Sequence, residues 1–293
     1  MRSFTALVNP IAGGGHALRV WEPIAAALSS AGARTRVVKT TDAAHAASAA
    51  AEAARAGDVV VAVGGDGLVR DAAGGVVDAG GVLGVVPAGR GNDLGRTLGL
   101  PAGDAELARL LLSGDVRAID VLDADGVVVP GNVYVGVDSM STRIINDTRW
   151  LPALLAYRLA PVRAILRWRS PTFTVTTDGD ARTVRAHSVV VANSGAYGHG
   201  LRIVPPAVLD DGALDVLTVG AGPRRDLVKF MREAKTGEHV RRAEVTLTTG
   251  RSVTIDADAD LPVGADGDEI GTLPVTVRLR PGALRLLAPP PAA

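Results

Sequence analysis

The stretch Val59-Val60-Val61-Ala62-Val63-Gly64-Gly65-Asp66-Gly67 limits the fold of this chain more than any other. An unbroken Val-rich run is apolar on both faces of a strand, as in a parallel sheet with both faces covered. Gly64, Gly65 and Gly67 then let the backbone turn sharply and leave it bare to an approaching ligand. One carboxylate, Asp66, stands at the tip, and helix-like sequence follows over Leu68–Val77. A strand end, a glycine turn and a helix start together suit phosphate or a nucleotide. Taken alone, the stretch fits a plain strand-to-helix turn with Asp66 as N-cap equally well.

The same unit recurs on both sides. Thr5–Val8 reads as a strand that ends in Asn9-Pro10-Ile11-Ala12-Gly13-Gly14-Gly15. A helix follows over Ala17–Ala31, and Gly32 stops it. Thr35–Lys39 is a second strand. Thr40-Thr41-Asp42 offers N-caps to an Ala-rich helix, Ala43–Arg55, which Gly57 stops. Val82–Val86 runs into a third glycine loop, Pro87-Ala88-Gly89-Arg90-Gly91-Asn92-Asp93. Asp104–Ser113 is helical in pattern, and Val116–Leu122 reads as a strand carrying Asp120. Strand and helix alternate, which predicts a parallel α/β sheet. Ligands of such sheets sit outside the carboxyl ends of strands, so the three glycine loops are expected on one edge.

After Asp120 the pattern changes to short Val- and Thr-rich runs at 127–137, 172–177, 183–192, 214–219, 244–248, 252–256 and 274–279. Turn signals such as Asp178-Gly179, Asp211-Gly212 and Thr249-Gly250 separate them. A second, mainly antiparallel β-sandwich domain is predicted, with helix-like insertions near 143–168 and 223–235. A chain of 293 residues, 47% of them apolar, can build both cores. Its formal net charge is zero, so no global field draws it to nucleic acid. It has no cysteine, which excludes disulfides and thiolate metal sites. His16, His45, His187, His199 and His239 show no zinc spacing, and solvated or structural roles are expected for them. No uncharged run approaches the roughly 18 residues of a membrane span, and the first apolar run is too short for a signal peptide. A cytoplasmic protein is expected.

Three loops now match one family in order and in kind. Asn9-Pro10-x-x-Gly13, Gly64-Gly65-Asp66-Gly67 and Pro87-x-Gly89-x-x-Asn92-Asp93 resemble the diacylglycerol kinase catalytic domain family. The likeness is to its bacterial lipid-kinase branch, related to sphingosine kinases and distantly to NAD kinases. Later segments agree: Gly136-Val137-Asp138, Ala192-Asn193-Ser194-Gly195, Gly198-x-Gly200, Pro205-x-Ala207-x-x-Asp210-Asp211-Gly212-x-Leu214-Asp215, and Asp266-Gly267. The resemblance implies a kinase that uses ATP and Mg²⁺ on the hydroxyl of diacylglycerol or a similar lipid. It implies a nucleotide-binding domain over 1–121, a lipid-substrate domain over 122–279, and a chain end, 280–293, that returns to the first domain. ATP is expected in the cleft between the two domains.

Residue by residue, the resemblance implies these roles. Asn9, Gly64, Gly65, Asp66, Gly67, Gly89 and Asn92 would bind the nucleotide. Asp66, Asp93 and Asp120 would hold the catalytic Mg²⁺, partly through water. Asp266 would take the proton of the acceptor hydroxyl, although Asp-Gly by itself reads as a hairpin turn. Asp268 or Glu269 would stand for the acid that follows it. Asp211, with the carbonyls of Val208 and Ala213, would hold a structural Mg²⁺, where an ordinary Asp-Gly turn is the other reading.

The chain also departs from the family pattern. Leu68, Arg70 and Asp71 replace the usual Thr, Asn and Glu after the second loop, Arg90 replaces a Thr in the third, and Gly14 replaces a Lys. Arg70 and Arg90 are the candidates to supply the missing phosphate charge. The acid-free segment Arg149–Arg169 sets arginines among Trp150, Tyr157 and Trp168. Basic residues with interfacial aromatics suit transient contact with an anionic membrane surface, and a helix packed with its Arg face in water is the alternative. Peripheral placement at the inner membrane surface is therefore expected. A homodimer stays open, because edge strands of the second domain can pair. The rival functions are a NAD kinase-like phosphotransferase and a non-catalytic nucleotide- or lipid-binding relative.

Overall fold

The computed structural model describes residues 2–10, 15–147, 168–198 and 200–290, without the side chains of 145–147. Gly13 and Gly14 of the first loop, the basic segment up to Arg167, and His199 lie outside the described residues. The chain divides into two compact units, Met1–Val121 with Pro281–Ala293, and Leu122–Arg280.

Unit 1 alternates as β1 (Ser3–Val8), α1 (Ala17–Ser30), β2 (Arg34–Lys39), α2 (Ala43–Arg55), β3 (Val59–Gly64), α3 (Asp66–Ala79) and β4 (Leu83–Pro87). Then come α4 (Asp93–Thr97), α5 (Asp104–Ser113) and β5 (Val116–Ala124). The parallel order is β4-β3-β1-β2, and every residue of β3 is buried. That burial is what the unbroken Val run demands. Trp21, Ile24 and Leu28 of α1 and Leu107 and Leu111 of α5 pack with Phe4, Val61 and Val63. Asp42 caps α2, its Oδ1 accepting the His45 N–H at 2.8 Å, while Gly32 (φ 82°) and Gly57 (φ 86°) follow the ends of α1 and α2.

Helices α2 and α3 touch at Gly75. A Cβ there would overlap the Ala47 carbonyl oxygen and stand 2.9 Å from Ala50 Cβ. The obstacle is backbone, which cannot swing aside. Gly75→Ala is therefore expected to cost about 1–3 kcal/mol, read as a lower urea midpoint at unchanged slope.

Unit 2 contains β6 (Val127–Val129), β7 (Asn132–Gly136), α6 (Val137–Asp147), β8 (Thr172–Thr177), β9 (Asp180–Ala192), β10 (Leu214–Gly220) and α7 (Arg224–Glu233). It continues with β11 (Val245–Gly250), β12 (Ser252–Ala257), β13 (Pro262–Ala265), β14 (Asp268–Thr272) and β15 (Val275–Leu287). Antiparallel pairing gives one sheet in the order β11-β10-β9-β7-β13-β14. The first half of β9 also pairs with β8, which leads on through β12 to β15. Val133, Val189 and Val216 from one layer meet Phe173, Val253 and Ile255 from the other in a common core. The predicted α/β domain plus antiparallel β-sandwich is thus present.

Some boundaries differ from the reading of the sequence. The run 127–137 is two strands broken at Pro130-Gly131, and the strands β13 and β14 on either side of the Asp266-Gly267 turn are absent from the runs read in the sequence. The run 274–279 is the start of a longer strand, β15, whose end at Leu286 pairs in parallel with Leu83 of β4. Trp168, expected at an interface, is only 5% exposed, and its Nε1–H donates to His187 Nδ1 at 3.1 Å.

Candidate active site

Parallel register aligns the strand ends of unit 1. Val8 lies opposite Val63, Val63 opposite Val86, and Gly64 opposite Pro87. The chain reverses its direction of build between β1 and β3, the switch point where such sheets bind ligands. Asn9 follows β1 on this edge. Helix α3 begins here with Gly65 as N-cap and no side-chain cap bond. Its first N–H groups and its dipole are therefore directed at whatever occupies the edge.

The second and third glycine loops are in contact. A Cβ on Gly89 would overlap Gly65 Cα, and one on Gly65 would stand 3.3 Å from Gly89 Cα. Ala88 N–H donates to Gly64 O at 2.9 Å. Asn92, at φ 53°, braces its own loop: its Oδ1 accepts the Gly89 N–H at 2.9 Å and its Nδ2 donates to Gly89 O at 3.0 Å. A nucleotide contact is left to the second Nδ2 hydrogen or the second lone pair of Oδ1. Leu68 is buried and fills the space at Gly64, where a Cβ would come within 2.8 Å of Leu68 Cδ2. Arg70 is engaged with its neighbour in α3. It is 7% exposed and gives Nε and Nη2 to Asp71 Oδ1 at 3.1 and 2.7 Å. Arg90 is exposed.

Asp66 is not the cap of α3. Its Oδ1 accepts the Asp93 N–H at 2.7 Å and so binds the start of α4. Its Oδ2 turns to Gly91. A Cβ on Gly91 would stand 2.5 Å from Asp66 Oδ2 and 3.4 Å from Asp93 Oδ2, so the two carboxylates converge above this glycine. Burial, and next the Asp93 charge, push the Asp66 carboxyl above its usual range. Two hard-oxygen anions forced together fit a divalent cation such as Mg²⁺. Asp120 sits inside β5 rather than at its end. It is 3% exposed, and its Oδ1 accepts the Gly282 N–H at 2.7 Å. That bond ties β5 to β15, whereas Asp66 and Asp93 meet above Gly91.

In unit 2, Asp266 (φ 45°) and Gly267 (φ 92°) are the two-residue turn between β13 and β14. The hairpin reading and the carboxylate reading describe the same residue. Asp266 Oδ1 accepts the Asn132 N–H at 2.8 Å, and Oδ2 accepts the Gly131 N–H at 3.1 Å. Beneath the hairpin lies Tyr134, fully buried, with its ring where a Cβ of Gly264 would be. Its hydroxyl is 3.1 Å from Thr142 Oγ1, and burial pushes the phenol up. Glu269 pairs with Arg143 at 2.7 Å, which holds its carboxyl down.

Asp138, named in a motif but given no role from sequence, accepts the Ser188 hydroxyl at 2.9 Å on both oxygens. Desolvation raises its carboxyl to about 6. The expected ion at Asp211 meets a self-closed turn, because Asp211 Oδ1 accepts the Ala213 N–H at 3.0 Å. Val208 beside it is 47% exposed. Among the described residues no three His, Cys, Asp or Glu side chains gather as a metal cluster. Nothing near Gly131 in the chain marks it as functional; its meaning comes from Asp266, which accepts its N–H.

Residues 3–124 match the model of the diacylglycerol kinase catalytic domain, and residues 131–288 match the YegS C-terminal NAD kinase beta sandwich-like domain. A diacylglycerol kinase of Mycobacterium tuberculosis is 31% identical, over 97% of this chain and 94% of that protein. One from Bacillus subtilis is 26% identical, over 83% and 82%. A crystal structure of a diacylglycerol kinase from Bacillus anthracis superposes with a TM-score of 0.78 over 99% of this chain and 97% of that one, at 24% identity. The fold, the ordered glycine loops and these matches together place the chain in the diacylglycerol kinase catalytic-domain family, in its bacterial lipid-kinase branch.

Proposed function

We propose that this chain transfers the γ-phosphoryl group of ATP, with Mg²⁺, to the hydroxyl of diacylglycerol or a closely similar lipid. The convergence of Asp66 and Asp93 above Gly91, beside the open N-terminus of α3, carries this reading. Phosphoryl transfer asks for positioning and charge neutralisation more than for covalent chemistry. The N–H groups of the Gly64–Gly67 turn bind the phosphates, as helix N-termini do. Asp66 and Asp93 would hold Mg²⁺, which would supply charge neutralisation at the phosphates. Asp266 accepts the proton of the lipid hydroxyl as the new O–P bond forms and ADP leaves. An acceptor that lives in a bilayer requires transient contact with the membrane surface; among the described residues no helix is long and apolar enough to cross one.

The test is incubation of the protein with γ-labelled ATP, Mg²⁺ and a panel of lipids beside NAD. Label on diacylglycerol is the expected result. Label on NAD alone would replace the lipid reading with a nucleotide one. Tight nucleotide binding without any product would make the chain a non-catalytic relative.

A further inference from the structure

We infer that Gly131 and Asn193 are positioning residues for Asp266, and that Gly131 lacks a side chain because the Asp266 carboxylate occupies its place. The role in catalysis rests on Asp266 being the base proposed above. Asp266 sits at the tip of a two-residue turn, where its own backbone does little to aim its carboxylate. The aim comes from outside the hairpin, from the N–H groups of Gly131 and Asn132, one to each oxygen.

Gly131 is not glycine for the sake of its backbone, since its φ is outside the left-handed range that the turn glycines adopt. A Cβ at this position would overlap Asp266 Oδ1 and stand 3.0 Å from Cγ and 3.2 Å from Oδ2. Each of those nearest atoms belongs to Asp266. The end of one side chain can swing away, so Gly131→Ala displaces the carboxylate without forcing the backbone apart.

Asn193 fixes the strip that does the aiming. It is 1% exposed, its N–H donates to Gly131 O at 3.0 Å, and its Nδ2 donates to Pro130 O at 2.9 Å. Asn132 adds a bond from its Nδ2 to Ala196 O at 2.9 Å. The segment 193–196 thus grips Pro130-Gly131-Asn132 from the β9 side, while Asp266 is held on the β13 side. The segment Ala192–Gly195, singled out in the sequence without a chemical role, acquires one.

The test uses the full chain and four proteins: wild type, Gly131→Ala, Asp266→Asn and the double variant, with Asn193→Ala as a fifth. A displacement of about 1 Å costs on the order of 100-fold when a reacting group is misplaced. Gly131→Ala is expected to lower kcat by about that factor with KM for ATP unchanged, in a protein that still unfolds cooperatively. Asn193→Ala should fall in the same direction by less. In the Asp266→Asn background Gly131→Ala should cause no further loss, because it acts only through that carboxylate. Asp266→Asn should move the Asn132 amide proton shift in the wild type, where the carboxylate touches it, and much less in the Gly131→Ala background.

An equal response of the Asn132 shift to Asp266→Asn in both backgrounds overturns the positioning role whatever the activity. A further fall of kcat in the double variant overturns it as well. A lost response with wild-type turnover in both Gly131→Ala and Asp266→Asn would leave the clamp standing and remove Asp266 from the chemistry. That outcome is the failure of the base assignment and not of the geometry.

Discussion

Asp266→Asn is expected to lower lipid phosphorylation by about 10³-fold while ATP still binds, as loss of a general base costs on the order of 10²–10⁴. An asparagine matches the carboxylate in size, so the turn at φ 45° is kept. One of its oxygens becomes an NH₂ group that cannot accept the acceptor's proton. The same NH₂ meets the N–H of Gly131 or Asn132 donor to donor, so the clamp loses one of its two bonds. Rate and aim therefore fail together. Initial rates with labelled ATP, and ATP affinity by calorimetry, separate the two halves of the claim. Full turnover in this variant would exclude Asp266 from the reaction.

Asp66→Asn should move activity and stability in opposite directions. Its Oδ1 keeps the bond to the Asp93 N–H, and its new Nδ2–H₂ faces Asp93 Oδ2 across Gly91. A repulsion becomes an attraction. The Asp66 carboxyl is raised in the folded chain, so the folded form holds its proton to a higher pH than the unfolded one. Stability is then lost as pH climbs from the ordinary carboxylate range through the raised value. The asparagine removes that loss, and its urea midpoint at neutral pH should exceed the wild type's. Activity should fall by about 10²–10³-fold, the scale of one lost charge-stabilising contact, with a higher Mg²⁺ requirement. In the wild type, Mg²⁺ affinity should rise with pH across the titration of Asp66. A variant with unchanged Mg²⁺ dependence would separate Asp66 from the metal.

Much of unit 1 was legible because its signals are local. Asp42, Gly32 and Gly57 mark helix ends by their own backbone chemistry, and the elements beside them fall within a residue or two of expectation. The Val-rich run Val59–Val63 has the pattern of a strand covered on both faces, and β3 is buried throughout. Unit 2 was harder. The strands β13 and β14 read Pro-Val-Gly-Ala and Asp-Glu-Ile-Gly-Thr, sequences with poor strand propensity that pair because their neighbours do. Arg70 looked available because charge on a helix is usually solvated. In this helix it turns to the covered side and takes Asp71 as partner. Gly131 could not be read at all, since the atoms that forbid its side chain arrive from a distant hairpin.

The long strand β15 has a consequence for how the protein is made. Val275 and Val277 complete the core of unit 2, whereas Leu284 and Leu286 are wholly buried in unit 1. Residues 1–121 leave the ribosome well before their last strand exists. Helices and four parallel strands of unit 1 must wait, with the flank of β4 uncovered, until all of unit 2 has been synthesised. An exposed sheet edge of that kind is open to wrong pairing. Expression of residues 1–124 alone should therefore give aggregating material, and a separately supplied peptide spanning 281–290 should improve its recovery.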